Sequence, residues 1–253
     1  MSDIAQVQVF VCPVSRVPQD HMILSHYLSF LNEVEKLRYD QYLPHAARLF
    51  LISRVLTKSV LADKLGISPH EVNIQLQPNG KPFVQGCKAI YFNLSHSADV
   101  IVLALTEEGE IGVDVERVNR EFEWRRVDSV LAPSEIEWIQ ENELIDPFSV
   151  YQRFFQIWTL KESYIKCTGH GMSSHLKKLN FHVLSEYIRF LDATKDAQKI
   201  EQYHFQSYIY DCSFIFSICL QQSHNIGRFN LDCFQLLPRI STHQITPVLC
   251  KYN

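Results

Sequence analysis

The chain has 253 residues, of which 46% are apolar and 21% are charged, and its formal net charge is −4 at pH 7. This length is enough for one large domain or two small ones, and the composition is typical of a globular protein. General nucleic-acid binders usually carry a basic excess, so the acidic balance argues against nucleic acid as a partner.

Two features of the sequence predict a cytoplasmic protein that does not bind membranes. No apolar run approaches the roughly 20 residues that cross a bilayer, and the first residues do not read as a signal peptide. The seven cysteines are scattered and never spaced C-x-x-C, a pattern typical of reduced thiols and not of a disulfide framework.

The first half of the chain reads as a strand, two helices and a group of short strands. We predict the first strand at 7–11, one helix over about 20–43 and a second over about 45–65, with Gly66 as its C-terminal cap. A strand at 72–76 and a turn at 78–82 follow. Residues 91–97 lead into a strand at 100–105, which we expect to form a hairpin with 111–115.

The second half repeats the order of helices followed by strands. We expect one helix to begin near Pro133 with Ser134 as its N-cap, and another to run from Pro147 to about Cys167. Strands are predicted at 181–183, 188–191, 203–210, 213–220 and 229–236. These patterns predict an α+β fold of two similar lobes, 1–108 and 109–253.

Asp114 and Glu116 are the first pair of residues that could carry chemistry. They lie two apart on a predicted strand, so both side chains share one face while Val113 and Val115 point into the core. Two close carboxylates repel unless a cation neutralises them, and Mg²⁺ prefers carboxylate oxygens and takes further oxygens from a phosphate. The alternative is a solvated strand face with two acids that bind nothing.

Glu162 and Lys166 form the second pair, four residues apart on the 147–167 helix. Such a pair can be an ordinary surface ion pair worth about 0.3–0.5 kcal/mol. Apolar side chains cover much of this helix, however, so we expect the helix to be well buried. A face that carries Lys161, Glu162 and Lys166 on such a helix is then expected to line a cleft.

Smaller polar groups accompany these two pairs. Gly80 permits a positive φ and a close backbone approach, Lys81 beside it could face a phosphate, and His96 could donate to an anion. Each of these also has an ordinary structural interpretation. The first helices are locally basic, which indicates either a phosphate-facing patch or a solvated surface; the residues are Lys36, Arg38, Arg48 and Arg54.

Together these residues resemble the 4′-phosphopantetheinyl transferases, in particular the large pseudodimeric branch named after the surfactin-synthetase activator. That family carries a G-[IV]-D-[IV]-E segment followed by a W-x-x-K-E-[SA]-x-x-K segment, which match residues 112–116 and 158–166. Its Gly-Lys-Pro turn, its Asn-x-Ser-His-Ser stretch and its glycine-rich sequel match residues 80–82, 93–97 and 169–173. Five elements therefore occur in the family's order.

The resemblance implies two similar α+β lobes with the active-site cleft between them, where coenzyme A would bind. It also implies a reaction and two ligands. The phosphopantetheine arm would move from coenzyme A to a serine hydroxyl of an apo acyl or peptidyl carrier protein, releasing 3′,5′-ADP, which is the activity of a holo-[acyl-carrier-protein] synthase. Asp114, Glu116 and Glu162 would ligate Mg²⁺, Glu162 would also act as the base, directly or through water, and Lys166 would steady the leaving group. Two lobes in one chain also imply a monomer.

The resemblance further implies which side chains contact coenzyme A. His96 would meet the 3′-phosphate, and Lys166 the pyrophosphate. The remaining implied contacts are Lys36, Arg48, Lys81 and Ser95.

Two other functions remain open at this point. The first is a non-catalytic protein that binds coenzyme A or a carrier on the same fold, since fold does not dictate function. The second is a Mg²⁺-dependent phosphohydrolase of another family that uses the same acids.

Overall fold

The computed structural model describes residues 4–118, 122–141, 147–170, 176–184, 187–222 and 229–252. The helices in these ranges are α1 His21–Ser29, α2 Glu33–Gln41, α3 Pro44–Leu65, α4 Pro133–Gln140, α5 Pro147–Thr168 and α6 Ala197–Ile200. None of the described helices combines the length and the apolar character needed to cross a membrane.

The strands form two larger sheets and two small hairpins. In chain order they are β1 Ala5–Pro13, β2 Ile74–Leu76, β3 Pro82–Val84, β4 Tyr91–Ser97, β5 Val100–Thr106, β6 Ile111–Arg117, β7 Leu179–Val183, β8 Ile188–Asp192, β9 Tyr203–Tyr210, β10 Phe214–Gln221, β11 Phe229–Leu237, β12 Ser241–Ile245 and β13 Val248–Tyr252. The first sheet has the order β12-β11-β1-β5-β4 and the second the order β13-β9-β10-β6. β2 pairs with β3, and β7 pairs with β8.

Three apolar clusters stack these elements in layers. The first lies between helices α1–α3 and the first sheet, and the second between the second sheet and α4, α5 and the β7–β8 hairpin. The third lies between the two sheets and joins valines of β1 and β5 to Val113 and Val115 of β6. The order of layers is therefore helices, sheet, sheet, helices, which is the predicted α+β class.

The single helix predicted over 20–43 is wrong, because the chain forms two helices there. Asn32 is the N-cap of α2: its Oδ1 accepts from the Glu35 N–H at 2.9 Å, and the Glu35 Oε2 accepts from the Asn32 N–H at 3.0 Å. This reciprocal capping box starts a new helix after α1 ends at Ser29. The helix at 44–65 agrees with the prediction, and Gly66 caps it with a φ of 67°.

The predicted hairpin of 100–105 with 111–115 is also wrong. β5 lies between β1 and β4 in the first sheet, so both of its edges are occupied. β6 pairs antiparallel with β10 in the second sheet. Residues 91–97, predicted only as a lead-in, form the strand β4 at the edge of the first sheet.

The N-cap of helix α4 lies two residues before the predicted one. The N-cap is Ala132, whose N–H donates to the Glu135 carboxylate at 2.7 Å. Ser134 lies inside the helix, and its hydroxyl contacts the side chain of Asn180.

The division into 1–108 and 109–253 stays a prediction. β11 follows β6, β9 and β10 of the second sheet in the chain but pairs in the first sheet, parallel to β1, with Val9 opposite Cys233. The first sheet thus contains strands from both ends of the sequence.

Candidate active site

The carboxylates of Asp114 and Glu116 lie on the edge strand of the second sheet. β6 alternates, so Val113 and Val115 are buried between the sheets, as predicted, while the two acids point away from that core. Asp114 is only 4% exposed. The strand thus presents two acids at the seam where it meets β4 of the first sheet.

Helix α5 packs directly on β6 and brings Glu162 and Lys166 to the same seam. Gly112 permits this approach, since a Cβ there would lie 2.0 Å from the Ser163 carbonyl oxygen and 2.4 Å from the Cys167 nitrogen. Any larger residue would push the helix off the strand. The glycine of the G-V-D-V-E segment therefore sets the distance between the two acids of β6 and Glu162 of α5.

Lys166 forms an ion pair with Asp114. Its Nζ lies 2.6 Å from Asp114 Oδ1 and donates to Ser95 Oγ at 2.9 Å. Ser95 in turn donates to the same Asp114 oxygen at 2.8 Å. One oxygen of the buried carboxylate is therefore fully engaged, and a lysine supplies the positive charge that such a carboxylate requires.

Within the described part of the chain, two buried carboxylate oxygens at this seam lack a hydrogen-bond partner. Asp114 Oδ2 and Glu162 Oε1 have no hydrogen-bond partner among the described residues. Burial raises the pKa of the Asp114, Glu116 and Glu162 carboxyls, and the charge of Asp114 raises the pKa of the other two further. Unpaired buried oxygens with this cost of ionisation are chemically suited to a cation.

The three acids of the seam are chemically suited to bind a divalent cation, although their side chains are not arranged as a complete metal site. Within the described part of the chain, no group of three or more His, Cys, Asp or Glu side chains is arranged to hold a metal ion. The three acids nevertheless supply only carboxylate oxygens, which Mg²⁺ prefers. Asp114, Glu116 and Glu162 would be the ligands, and this assignment stays a prediction.

His96 lies at the edge of a pocket of about 400 Å³ between α3 and the β2–β4 segment. Burial lowers its pKa, and the nearby charge of Lys166 lowers it further. The imidazole therefore lines this pocket, on the face of β4 opposite to Ser95 and Ser97.

Arg54 lines the same pocket, and sequence reasoning placed it only in a general basic patch. Its Nε lies 3.5 Å from Glu35 Oε1, while Lys58 donates to Glu35 Oε2 at 2.7 Å. One carboxylate thus serves two cations, and a positive charge remains at the pocket wall. Such a charge, partly removed from water, favours an anionic ligand.

Three other predicted contacts of coenzyme A are engaged elsewhere. Lys81 is buried, pairs with Glu110 and donates to the Cys167 carbonyl at 2.8 Å, so it ties the 78–82 turn to the end of α5. Arg48 donates to the carbonyls of residues 14 and 17. Lys36 is half-exposed and pairs with Glu33 at 2.9 Å. Their roles in binding coenzyme A stay predictions.

Lys161 does not share the cleft face predicted for it. Its Nζ is buried and lies 2.7 Å from Glu135 Oε2, and it donates to the carbonyls of residues 130, 176 and 179. It therefore joins α5 to α4 and to the β7 segment, on the side away from Glu162. Residues 171–173 of the predicted glycine-rich sequel lie outside the described residues.

An aromatic groove of about 750 Å³ opens beside Glu116. Ser97 and Arg117 form its polar end, next to the seam. Its apolar wall consists of Val118, Phe122, Val127, Phe154, Phe155 and Trp158. A groove of this kind can hold an extended, partly apolar ligand with its reactive end at the acids.

Two family models match this chain. The model of the 4′-phosphopantetheinyl transferase superfamily matches residues 110–219. The model of the 4′-phosphopantetheinyl transferase N-terminal region matches residues 17–108. The chain belongs to the 4′-phosphopantetheinyl transferase superfamily, which confirms the resemblance read from the motifs.

Individual relatives carry the same family name. A protein of Synechocystis sp. that is provisionally assigned as a 4′-phosphopantetheinyl transferase is 29% identical over 178 residues, or 69% of each chain. The 4′-phosphopantetheinyl transferase gsp of Aneurinibacillus migulanus is 33% identical over 122 residues, or 48% of each chain. The human L-aminoadipate-semialdehyde dehydrogenase-phosphopantetheinyl transferase is 27% identical over 201 residues, or 68% of this chain and 64% of the relative. These matches support a transferase activity.

Proposed function

We propose that this chain transfers the 4′-phosphopantetheine group of coenzyme A to a serine hydroxyl of an apo carrier protein, with Mg²⁺, and releases 3′,5′-ADP. Family membership supports the reaction class. The observation that carries the mechanism is the seam itself, where Asp114 Oδ2 and Glu162 Oε1 are buried and have no hydrogen-bond partner among the residues that the structure describes, close to the ion pair of Lys166 with Asp114. A divalent cation bound at the seam would be the partner of these two carboxylate oxygens. The cation and Lys166 would together offset the negative charge of the pyrophosphate.

Each residue has a proposed task. Asp114, Glu116 and Glu162 hold Mg²⁺, which when bound neutralises charge on the pyrophosphate. Lys166 moves from Asp114 to the phosphate oxygens that become the leaving group. His96, with Arg54, contacts the 3′-phosphate in the α3 pocket, and Ser95 keeps its hydrogen bond to Asp114 Oδ1.

The proposed reaction forms one bond, breaks one bond and transfers one proton. The carrier's serine oxygen attacks the phosphorus that bears the pantetheine arm, and a new phosphodiester bond forms. The bond from that phosphorus to the bridging oxygen breaks, and the electron pair leaves with 3′,5′-ADP. Glu162 accepts the serine proton, directly or through a water molecule, because an ionised carboxylate within reach of the hydroxyl can act as a general base.

The arrangement of the site in one chain supports a monomer as the active form. Ser95 and His96 come from the first sheet, Asp114 and Glu116 from the second, and Glu162 from α5. No second copy is needed to complete the set of proposed ligands.

The direct test is a mass-spectrometric panel. The protein is incubated with coenzyme A and fatty-acid, polyketide and peptide-synthetase apo carriers, with MgCl₂ or with EDTA. We expect one carrier class to gain the mass of one phosphopantetheine group in MgCl₂ only. If a known transferase modifies these carriers and this chain modifies none, the proposed catalysis is wrong, and tight coenzyme A binding without turnover would identify a binding protein instead.

A further inference from the structure

Ser97 holds Glu116 by a hydrogen bond whose direction is set by the neighbouring backbone. Its Oγ accepts from the Arg117 N–H at 3.1 Å and donates to Glu116 Oε2 at 2.7 Å. Because Oγ already accepts from a rigid strand N–H, its own proton is directed to the carboxylate. The hydrogen bond to a charged acceptor is of the stronger kind.

Ser95, two residues before Ser97 on β4, makes a similar pair of hydrogen bonds. It accepts from Lys166 Nζ and donates to Asp114 Oδ1. The two serines lie two residues apart on β4, as the two acids do on β6, so the shared period of two brings each serine to one acid. Asn93 extends the row, since its Oδ1 accepts from the Val113 N–H at 3.0 Å.

This row of side chains joins strands that belong to different sheets. β4 pairs with β5, and β6 pairs with β10. At the seam, therefore, side-chain hydrogen bonds fix the acids of one lobe against the strand of the other. Glu116 and Ser97 also line the aromatic groove together, so this bond lies where the proposed ligand would enter.

We propose that Ser97 is a positioning residue for Glu116. It holds Oε2, so that one oxygen is fixed and Oε1 is left for the cation, and Ser97 acts through Glu116 without being a ligand of the cation itself. This inference rests on the proposed function, because it assumes that Glu116 binds a divalent cation. A glutamate side chain loses conformational entropy when it is fixed, and the serine fixes it before the cation binds.

The test measures cation affinity apart from turnover. Mn²⁺ serves as the probe, and free Mn²⁺ is measured by electron paramagnetic resonance in the presence and absence of coenzyme A. Removing a group that orients a metal ligand typically costs 10–100-fold in metal affinity. We therefore expect Ser97→Ala and Ser97→Val to weaken Mn²⁺ binding about 10–100-fold, and Ser97→Thr, which keeps the hydroxyl, to bind nearly as the wild type does.

Two comparisons keep the test sharp. Val and Thr have nearly the same shape, so their difference reports the hydroxyl even if Ser97→Ala folds poorly. Ser207→Ala removes a strand hydroxyl that accepts from Ser217 at 3.1 Å and meets no carboxylate in that bond. We expect that variant to keep the wild-type Mn²⁺ affinity even if its melting temperature falls.

The outcomes separate this inference from the proposed function. If the wild type binds Mn²⁺ and Ser97→Val binds it equally well, the positioning role is wrong and the proposed function stands. If Ser97→Thr loses as much affinity as Ser97→Val, strand packing and not the hydroxyl is responsible, and the inference is again wrong. If the wild type binds no Mn²⁺ with or without coenzyme A, the metal site itself is overturned.

Discussion

Lys166 Nζ lies 2.6 Å from Asp114 Oδ1, and this ion pair joins the last turn of α5 to the middle of β6. The carboxylate is almost entirely buried, whereas the lysine side chain is 28% exposed. The lysine can therefore leave toward a ligand at lower cost than the carboxylate, which stays in place.

Replacing this lysine should destabilise the protein in a way that a cation partly reverses. We expect Lys166→Met to lower the free energy of unfolding by about 1.5–3 kcal/mol, because Asp114 loses a charged hydrogen-bond donor. MgCl₂ should restore part of this loss, since it replaces the missing positive charge. Urea denaturation with and without MgCl₂ measures both effects.

The control for that variant is Lys199→Met, which breaks an exposed pair with Asp196 at 3.9 Å. Surface pairs of this kind contribute about 0–1 kcal/mol, and MgCl₂ should not alter the result. Equal losses in the two variants would show that the Lys166 pair has no special role.

Glu162→Gln should separate chemistry from binding. The amide keeps the shape of the side chain but cannot accept the serine proton, so we expect turnover to fall about 10²–10⁴-fold with coenzyme A affinity changed far less. Single-turnover assays and calorimetry measure the two quantities. Glu137→Gln on the exposed side of α4 is the matched control, and near-normal turnover in Glu162→Gln would remove Glu162 from the mechanism.

Stabilisation by MgCl₂ should grow as the pH rises. Burial raises the pKa of the Asp114, Glu116 and Glu162 carboxyls, so the folded state binds protons more tightly than the unfolded state does. The stability from these groups is present below their unfolded pKa of about 4 and is lost as the pH rises through the raised folded values. A divalent cation offsets the negative charge of the ionised carboxylates. It therefore competes with protons for binding to them.

The corresponding measurement is the melting temperature between about pH 5 and pH 8, with MgCl₂ or with KCl of equal ionic strength. We expect the gain from MgCl₂ to be small at the acidic end and larger at the basic end. A gain that is independent of pH would show that the cation does not bind these carboxylates.

Gly112→Ala should disrupt the seam although it adds a single methyl group. The new Cβ would meet backbone atoms of α5 at 2.0 and 2.4 Å, which no side-chain rotation can relieve. We expect the loss of stability to reach at least the roughly 1–3 kcal/mol that overpacking a protein interior typically costs. Thermal unfolding checks this against Gly66→Ala, where the φ of 67° is unfavourable but the space is open.

Lys161 should matter for stability and not for ligand binding. It forms a buried pair with Glu135, and removing one partner of such a pair costs about 3–5 kcal/mol. We therefore expect Lys161→Met to lower the melting temperature strongly while the folded fraction keeps its coenzyme A affinity. A large loss of affinity in correctly folded Lys161→Met would return this lysine to the site.

Sequence reasoning succeeded where the signal is local. The two acids of β6 share a face because strands alternate, and Glu162 and Lys166 share a face because helices repeat near four residues. It failed where the partner is distant in the chain. Nothing in residues 100–117 indicates that β5 and β6 belong to different sheets, since that depends on β1 and β10.

The orientation of Lys161 shows a second limit. Helix α5 is apolar on most of its surface, so its pattern does not indicate which polar side chain faces the seam and which faces α4. The break between α1 and α2 is a different case, because the Asn32 and Glu35 capping box was readable. The role of Arg54 depends on Glu35 and Lys58, which meet only in the folded protein.

The parallel pairing of β1 with β11 has a consequence for how the chain is made. β1 leaves the ribosome long before β11, so the edge of β1 that pairs with β11 stays open until residues 229–237 have been made. During synthesis the early half therefore carries an unprotected template for strand addition, and contacts so far apart in sequence slow folding. Help from chaperones should matter most in the interval before residue 229 emerges.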